Sequence, residues 1–151
     1  MADFEVQGAD RFLRLSKALK EAGRKDLRRE LHAGMRKAAR PLISKTRSEA
    51  GRRLPQRGGL ARQVAKEPQR VEVRTGRTAG VRLVVAKKAG GARGANRGVI
   101  RHPVFGNREV WVDQKVPAGW FDDPIKAEAT AIRRDVERAV QNVIDRIARG
   151  G

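Results

Sequence analysis

The chain of 151 residues contains no cysteine and no tyrosine, and its aromatic complement is two tryptophans and four phenylalanines. Without cysteine neither a disulfide framework nor a thiolate metal site is available, and the redox compartment is left open. The two histidines, His32 and His102, are far apart in sequence and have no partners at metal-ligand spacing, so no metal and no cofactor is expected. His102 reads as a strand histidine with a satisfied hydrogen bond. No nucleophile elbow, phosphate-binding loop or metal box occurs, which argues against an enzyme. No apolar run approaches the roughly 18 residues a membrane span needs. The amino terminus, MADFEVQGAD, is acidic where a signal peptide would be basic, so an unsecreted protein with no membrane partner is expected.

Carboxylates are also scarce, and their distribution matters more than their number. The formal net charge is +18. Residues 1–10 carry three acidic side chains and no Lys or Arg, and from Trp120 onward six basic and six acidic residues cancel. Residues 11–119 hold 29 basic against 8 acidic side chains, a net +21. Such a field attracts phosphate or an acidic protein surface within about a Debye length. Arg outnumbers Lys 25 to 10; base composition can select Arg over Lys but does not create an excess over carboxylates.

At this length a single domain spanning residues 1–151 is expected. Residues 1–9 read as flexible. Asp10 caps a short amphipathic helix with Phe12, Leu15, Ala18, Leu19 and Ala22 on one stripe, ending at Gly23. A second helical pattern starts near Lys25, with Leu27, Leu31, Met35, Ala38, Ala39, Leu42 and Ile43 on its apolar side. Pro41 removes a hydrogen bond and crowds the preceding turn, so a kink or break near Arg40 is expected before the helix resumes to about Ala50. Pro55, Gly58 and Gly59 mark a turn, with Leu60 and Val64 as small apolar contacts beyond it.

From Arg70 the period changes to two. Val71, Val73 and Thr75 alternate with charged residues, and after a turn at Gly76–Gly80 so do Val81, Leu83 and Val85, which predicts a hairpin with one buried face. Lys87–Gly98 has four glycines, four basic residues and little to bury, and reads as a long mobile basic loop. Val99–Phe105 and Glu109–Asp113 read as further strands of the same sheet, joined by a tight turn at Gly106-Asn107. Asp122 or Asp123 caps, and Pro124 opens, a terminal helix whose apolar positions run from Ile125 through Ala129, Ile132, Val136 and Val140 to Ile147, about 35 Å long. The predicted fold class is α+β: helices first, a small, mostly antiparallel sheet of three or more strands with a long basic loop, and a long C-terminal helix.

The stretch from Arg101 to Pro124 concentrates both tryptophans, two phenylalanines and three of the six prolines, and reads as a structural hub comprising Phe105, Gly106, Trp111, Pro117, Trp120, Phe121 and Pro124. Trp111, Trp120 and Phe121 are expected to fix the joint between sheet and terminal helix, because the chain has few other large side chains to fill a core. Their alternative role is as anchors of an interface. Asp122 and Asp123 read as helix caps rather than as a catalytic pair.

The order of these features resembles the head-tail joining or tail-completion proteins of long-tailed phages, the family named for the gene-product-ten protein of a lambdoid phage. Ala38, Ala39, Pro41 and Leu42 match its Ala-Ala-x-Pro-Leu step. Pro55, Gly58 and Leu60 match its Pro then Gly-x-Leu turn, with Arg57 where the family has Thr. Val104, Phe105 and Gly106 stand at its acidic-aromatic-Gly step without the acidic residue. Pro117, Trp120, Phe121 and Pro124 resemble its last motif, and Glu128 onward its final helix. The likeness runs over about residues 10–148. It implies a non-enzymatic structural protein of the virion neck or upper tail, made in the host cytoplasm and assembled as a ring, expected to have six copies, against the head-tail connector and the tail tube or terminator proteins. Arg93, Arg97, Lys87, Lys88, Arg28 and Arg36 are the candidates for contact with a neighbouring subunit or, without sequence preference, with phage DNA. The alternative, resting on charge alone, is a general nucleic-acid-binding protein.

Overall fold

The computed structural model describes residues 10–74, 80–86 and 91–150, together with the backbone of Phe4–Glu5. Its elements are β1 (Phe4–Glu5), α1 (Asp10–Glu21), α2 (Lys25–Ala39), α3 (Pro41–Arg53), a single 3-10 turn at Arg57–Gly59, α4 (Leu60–Lys66), β2 (Gln69–Arg74), β3 (Gly80–Val85), α5 (Ala92–Arg97), β4 (Val99–Val104), β5 (Asn107–Lys115) and α6 (Asp122–Ala148). The class is α+β, with small antiparallel sheets and a long C-terminal helix. None of the helices among the described residues is long and apolar enough to cross a membrane.

Two compact units are built from these elements. The first comprises residues 1–2, 42–69 and 85–127, the second 3–41, 70–84 and 128–151. In the second unit the apolar stripes of the helices face inward as their period of three and four dictates: Phe12 and Leu19 of α1, Leu27, Leu31, Met35 and Ala39 of α2, and Ile132, Val136, Val140 and Val143 of α6 are all buried. Small residues let α2 and α6 approach closely, since a Cβ added at Gly34 would lie 2.9 Å from the Cβ of Ala139. At the rim of that contact Arg146 pairs with Glu30, and Arg11 of α1 donates to the Gln141 side chain at 3.2 Å.

β3 lies between β1 and β2 in the order β1-β3-β2, with Phe4 opposite Leu83 and Glu5 opposite Arg82. Val84, on the opposite face of the strand from Val81, Leu83 and Val85, is buried along with them. The expected single buried face of this hairpin is therefore replaced by a strand buried on both. Phe4–Glu5 form a strand within the segment expected to be flexible; its other residues, like the turn residues 75–79, lie outside the described ones.

Pro41 breaks the helical run as expected: α2 stops at Ala39, Arg40 stays right-handed helical in its backbone, and α3 opens on the proline, whose missing N–H is no loss in a first turn. α3 continues past Gly51 to Arg53. In the first unit Leu42, Ala50, Leu54, Ala61, Val64, Ala92, Ala95, Val116, Trp120, Phe121 and Ile125 are buried. The strands β4 and β5 do not extend the β1-β3-β2 sheet. They pair with each other as a separate two-stranded ribbon.

Candidate interaction surfaces

Two regions of the first unit account for the residues singled out as a hub, and they behave in opposite ways. The first is a buried knot at the start of α6. Glycines flank α5 on both sides, with Gly91 and Gly98 at φ +89° and +90°, a region that disfavours side chains. Its two alanines, Ala92 and Ala95, are fully buried. Asn96 is buried beside them, and its Oδ1 accepts from the backbone N–H groups of Phe121 at 3.0 Å and Asp122 at 3.2 Å. Its Nδ2 donates to Asp122 Oδ2 at 2.8 Å, and its own carbonyl accepts from the Gly119 N–H at 2.9 Å. These are the orphan donors of a helix start, capped by a residue 26 positions upstream rather than by a local side chain.

Trp120 and Phe121 complete the knot. The Trp120 indole N–H donates to the Ala92 carbonyl at 3.1 Å, and the two rings meet edge to face with centroids 5.3 Å apart. The joint they fix is between α5 and α6, not between sheet and helix. On the other side Arg53, at the end of α3, donates to the Ala118 carbonyl at 3.2 Å and pairs with both Glu49 and Asp123. The Asp123 carboxylate, then Glu49, raises the Arg53 pKa above its usual value, while Arg52 first and Arg53 second hold the Glu49 carboxyl below the ordinary glutamate range. Pro124 sits in the first turn of α6 and Pro117 is exposed in the connector before it.

The expected mobile loop at residues 87–98 is thus overturned over its described part: Ala92–Arg97 is a helix packed by two alanines and pinned by Asn96. Arg93 and Arg97 lie exposed on it, four residues apart and so on one side. Lys87 and Lys88 fall outside the described residues.

The second region is the β4–β5 ribbon. Its ladder runs from Val99 opposite Lys115 to Pro103 opposite Trp111, slips once between Pro103 and Val104, and closes with Val104 opposite Asn107. The turn is Phe105-Gly106, one residue earlier than the pattern suggested, with φ of +46° and +80°. Positive φ at both central residues is the geometry that matches strand twist, and it normally selects Asn or Gly. Phe105 is the one non-glycine residue with positive φ among the described residues, and its side chain is fully solvent-exposed. Every residue of β5 is exposed, including Val110, Trp111 at 46 % and Val112; on β4 Val99 is exposed too. Trp111 therefore does not join the buried hub, although its indole N–H finds the Arg108 carbonyl at 2.7 Å. Phe105 and Gly106 leave the hub with it. His102, half-buried on β4, donates from Nδ1 to the Pro103 carbonyl at 3.1 Å.

A third feature belongs to the second unit. Lys25, Arg28, Arg29, His32 and Arg36 line a groove of about 450 Å³ along α2. The His32 ring lies 5.9 Å from that of Phe12. Burial first, then the positive charges of Arg28 and Arg36, lower the His32 pKa below the ordinary histidine value. Arg28 and Arg36, singled out from the sequence, are thereby brought onto one surface, and His32 is an addition that its sequence position, lacking any partner at ligand spacing, did not suggest.

Comparison with models of protein families, with curated proteins and with solved structures finds no match for this chain.

Proposed function

We propose that this chain is a structural virion protein of the neck or upper tail of a long-tailed phage, a subunit that assembles as a ring and joins or completes the tail at the head-tail interface. The observation that carries the reading is the β4–β5 ribbon, whose second strand β5 is exposed along its whole length. An isolated two-stranded hairpin is marginal in water, and this one displays Val110, Trp111 and Val112 along one strand with Phe105 at its tip. A bulky aromatic held in a left-handed turn costs on the order of 1–2 kcal/mol, and exposing it gains nothing within the isolated chain. Both costs are offset when the ribbon packs against a neighbour, since buried aromatics dominate the binding energy of interfaces. A hairpin that fits a different surface on the next copy makes a heterologous contact, which builds a ring when the rotation between copies closes and a filament when it does not.

The order of motifs from Ala38 to Pro124 supports the same reading, because it resembles the order found in the phage joining family. In a ring, the +21 of residues 11–119 suits a wall around a DNA channel, and the connector and tail-tube proteins are the partners above and below. The test is genetic. A phage deleted for this gene is expected to accumulate filled heads and separate tails, with joining restored by the wild-type gene. Infectious, fully joined particles in its absence would refute the proposal.

A further inference from the structure

Along α2 the residues Lys25, Arg28, Arg29, His32 and Arg36 recur at steps of three, one, three and four, so they occupy one side of the helix over about 16 Å. They line their groove without a single carboxylate among them. The two acidic residues of α2 are engaged elsewhere: Asp26 with Arg24, and Glu30 with Arg146. Two nitrogens of the groove, Arg28 Nε and His32 Nε2, are sealed from water and meet no hydrogen-bond partner. A buried polar atom left in that condition costs about 1–3 kcal/mol, which a ligand recovers only if the side chains shift to open it.

We infer that this face of α2 is a phosphate-binding site, and that the phosphates it takes are those of a nucleic-acid backbone. A single small oxyanion would sit beside only part of this row and leave the outlying cations without a nearby negative charge. A nucleic-acid strand presents a phosphate every 3.4 Å or so of duplex axis, which matches a cationic row about 16 Å long. Lys25, Arg28, Arg29 and Arg36 supply charge, and Arg28 Nε and His32 Nε2 gain partners only when binding shifts these side chains and opens the two atoms to the ligand. With four formal cations, the logarithm of affinity is expected to fall with the logarithm of salt at a slope of roughly −3 to −4. The site is independent of ring formation, because a monomer carries all of it.

The experiment uses the full chain with a labelled 20-base-pair duplex and, separately, inorganic phosphate. Anisotropy titrations over a range of salt are run on wild type, Arg28→Gln and Arg62→Gln, the last removing an equal charge from an exposed position on α4. The imidazole resonances of His32 are followed by NMR in the same titrations, and thermal melting confirms that each variant is folded. Duplex should move the His32 signals, and Arg28→Gln should weaken binding by roughly tenfold and flatten the salt slope by about 1, with less than a twofold change for Arg62→Gln. Equal losses for the two variants, or His32 signals unmoved at saturating duplex, would overturn the site. Signals that move with inorganic phosphate but not with duplex would overturn the assignment to a nucleic-acid backbone.

Discussion

Replacing Asn96 by Ala removes the one side chain that closes the start of α6, and the loss can be worked from its contacts. Its Oδ1 serves two backbone N–H groups, those of Phe121 and Asp122, and its Nδ2 serves the Asp122 carboxylate. Loss of a capping side chain costs about 1 kcal/mol. Here the Phe121 N–H also lies in a buried setting with no route to water, and the half-buried carboxylate loses a donor, adding roughly 1–2 kcal/mol. A total of about 2–3 kcal/mol corresponds to a fall in melting temperature of roughly 5–10 °C for a chain of this size. Asn96→Asp sharpens the test, because it keeps an acceptor for both N–H groups but sets a second carboxylate against Asp122. It should be destabilised at neutral pH, and Asp122→Asn in the same molecule should restore most of the loss by exchanging donor and acceptor. The assay is calorimetric melting of Asn96→Ala and of the four proteins of the Asn96→Asp and Asp122→Asn double-mutant cycle, with amide exchange read at Phe121 and Asp122. A melting temperature for Asn96→Ala within a degree of wild type, or additive effects in the cycle, would refute the capping argument.

Gly94→Ala should be destabilising by about 1–3 kcal/mol in a denaturant titration, since the new Cβ would lie 2.3 Å from the Val99 carbonyl oxygen and force α5 away from β4. Trp120→Ala should cost about 3–5 kcal/mol, combining a large buried ring with the bond to Ala92, whereas an interface residue would leave the melting temperature unchanged. His32 titrates below its unfolded value in the fold, so its neutral form contributes stability above about pH 6.5 that is lost as pH falls below it. Melting followed from pH 8 to about pH 5 should therefore show a decline that His32→Gln flattens. Glu49, also depressed, contributes stability above the ordinary glutamate pKa and loses it only at more acid pH, so the two groups act in separate windows.

Where the sequence carried a strong local rule, the fold followed it. Asp10 opens α1, Pro41 divides α2 from α3, and Asp122-Asp123-Pro124 starts a helix whose apolar stripe is buried at Ile125, Ile132, Val136 and Val140 but exposed at its far end, Ile147. α5 was hidden because its buried face is two alanines, which give almost no hydrophobic period, and because its anchor is a polar residue reaching backbone groups far along the chain. The β4–β5 ribbon was legible as a hairpin but not as one whose second strand is exposed. Alternation of Val110 and Val112 reads the same whether the face meets a core or water, and aromatic scarcity favours a core place for Trp111 without excluding an interface. The turn shifted by one residue because Phe105 adopts a conformation that side chains of its size rarely take. The groove on α2 joined two expected arginines to a histidine whose importance lies in burial and in an unpaired nitrogen, neither of which is written in spacing.

Self-association through the ribbon is most directly measured by sedimentation velocity of the wild-type chain beside Trp111→Lys, across a wide concentration range. A ring subunit predicts that the wild type forms one discrete closed species, and that Trp111→Lys stays monomeric with a melting temperature lowered at most slightly, by loss of the exposed bond to the Arg108 carbonyl. A wild-type protein that remains monomeric at every concentration, or a variant that assembles as the wild type does, would contradict it.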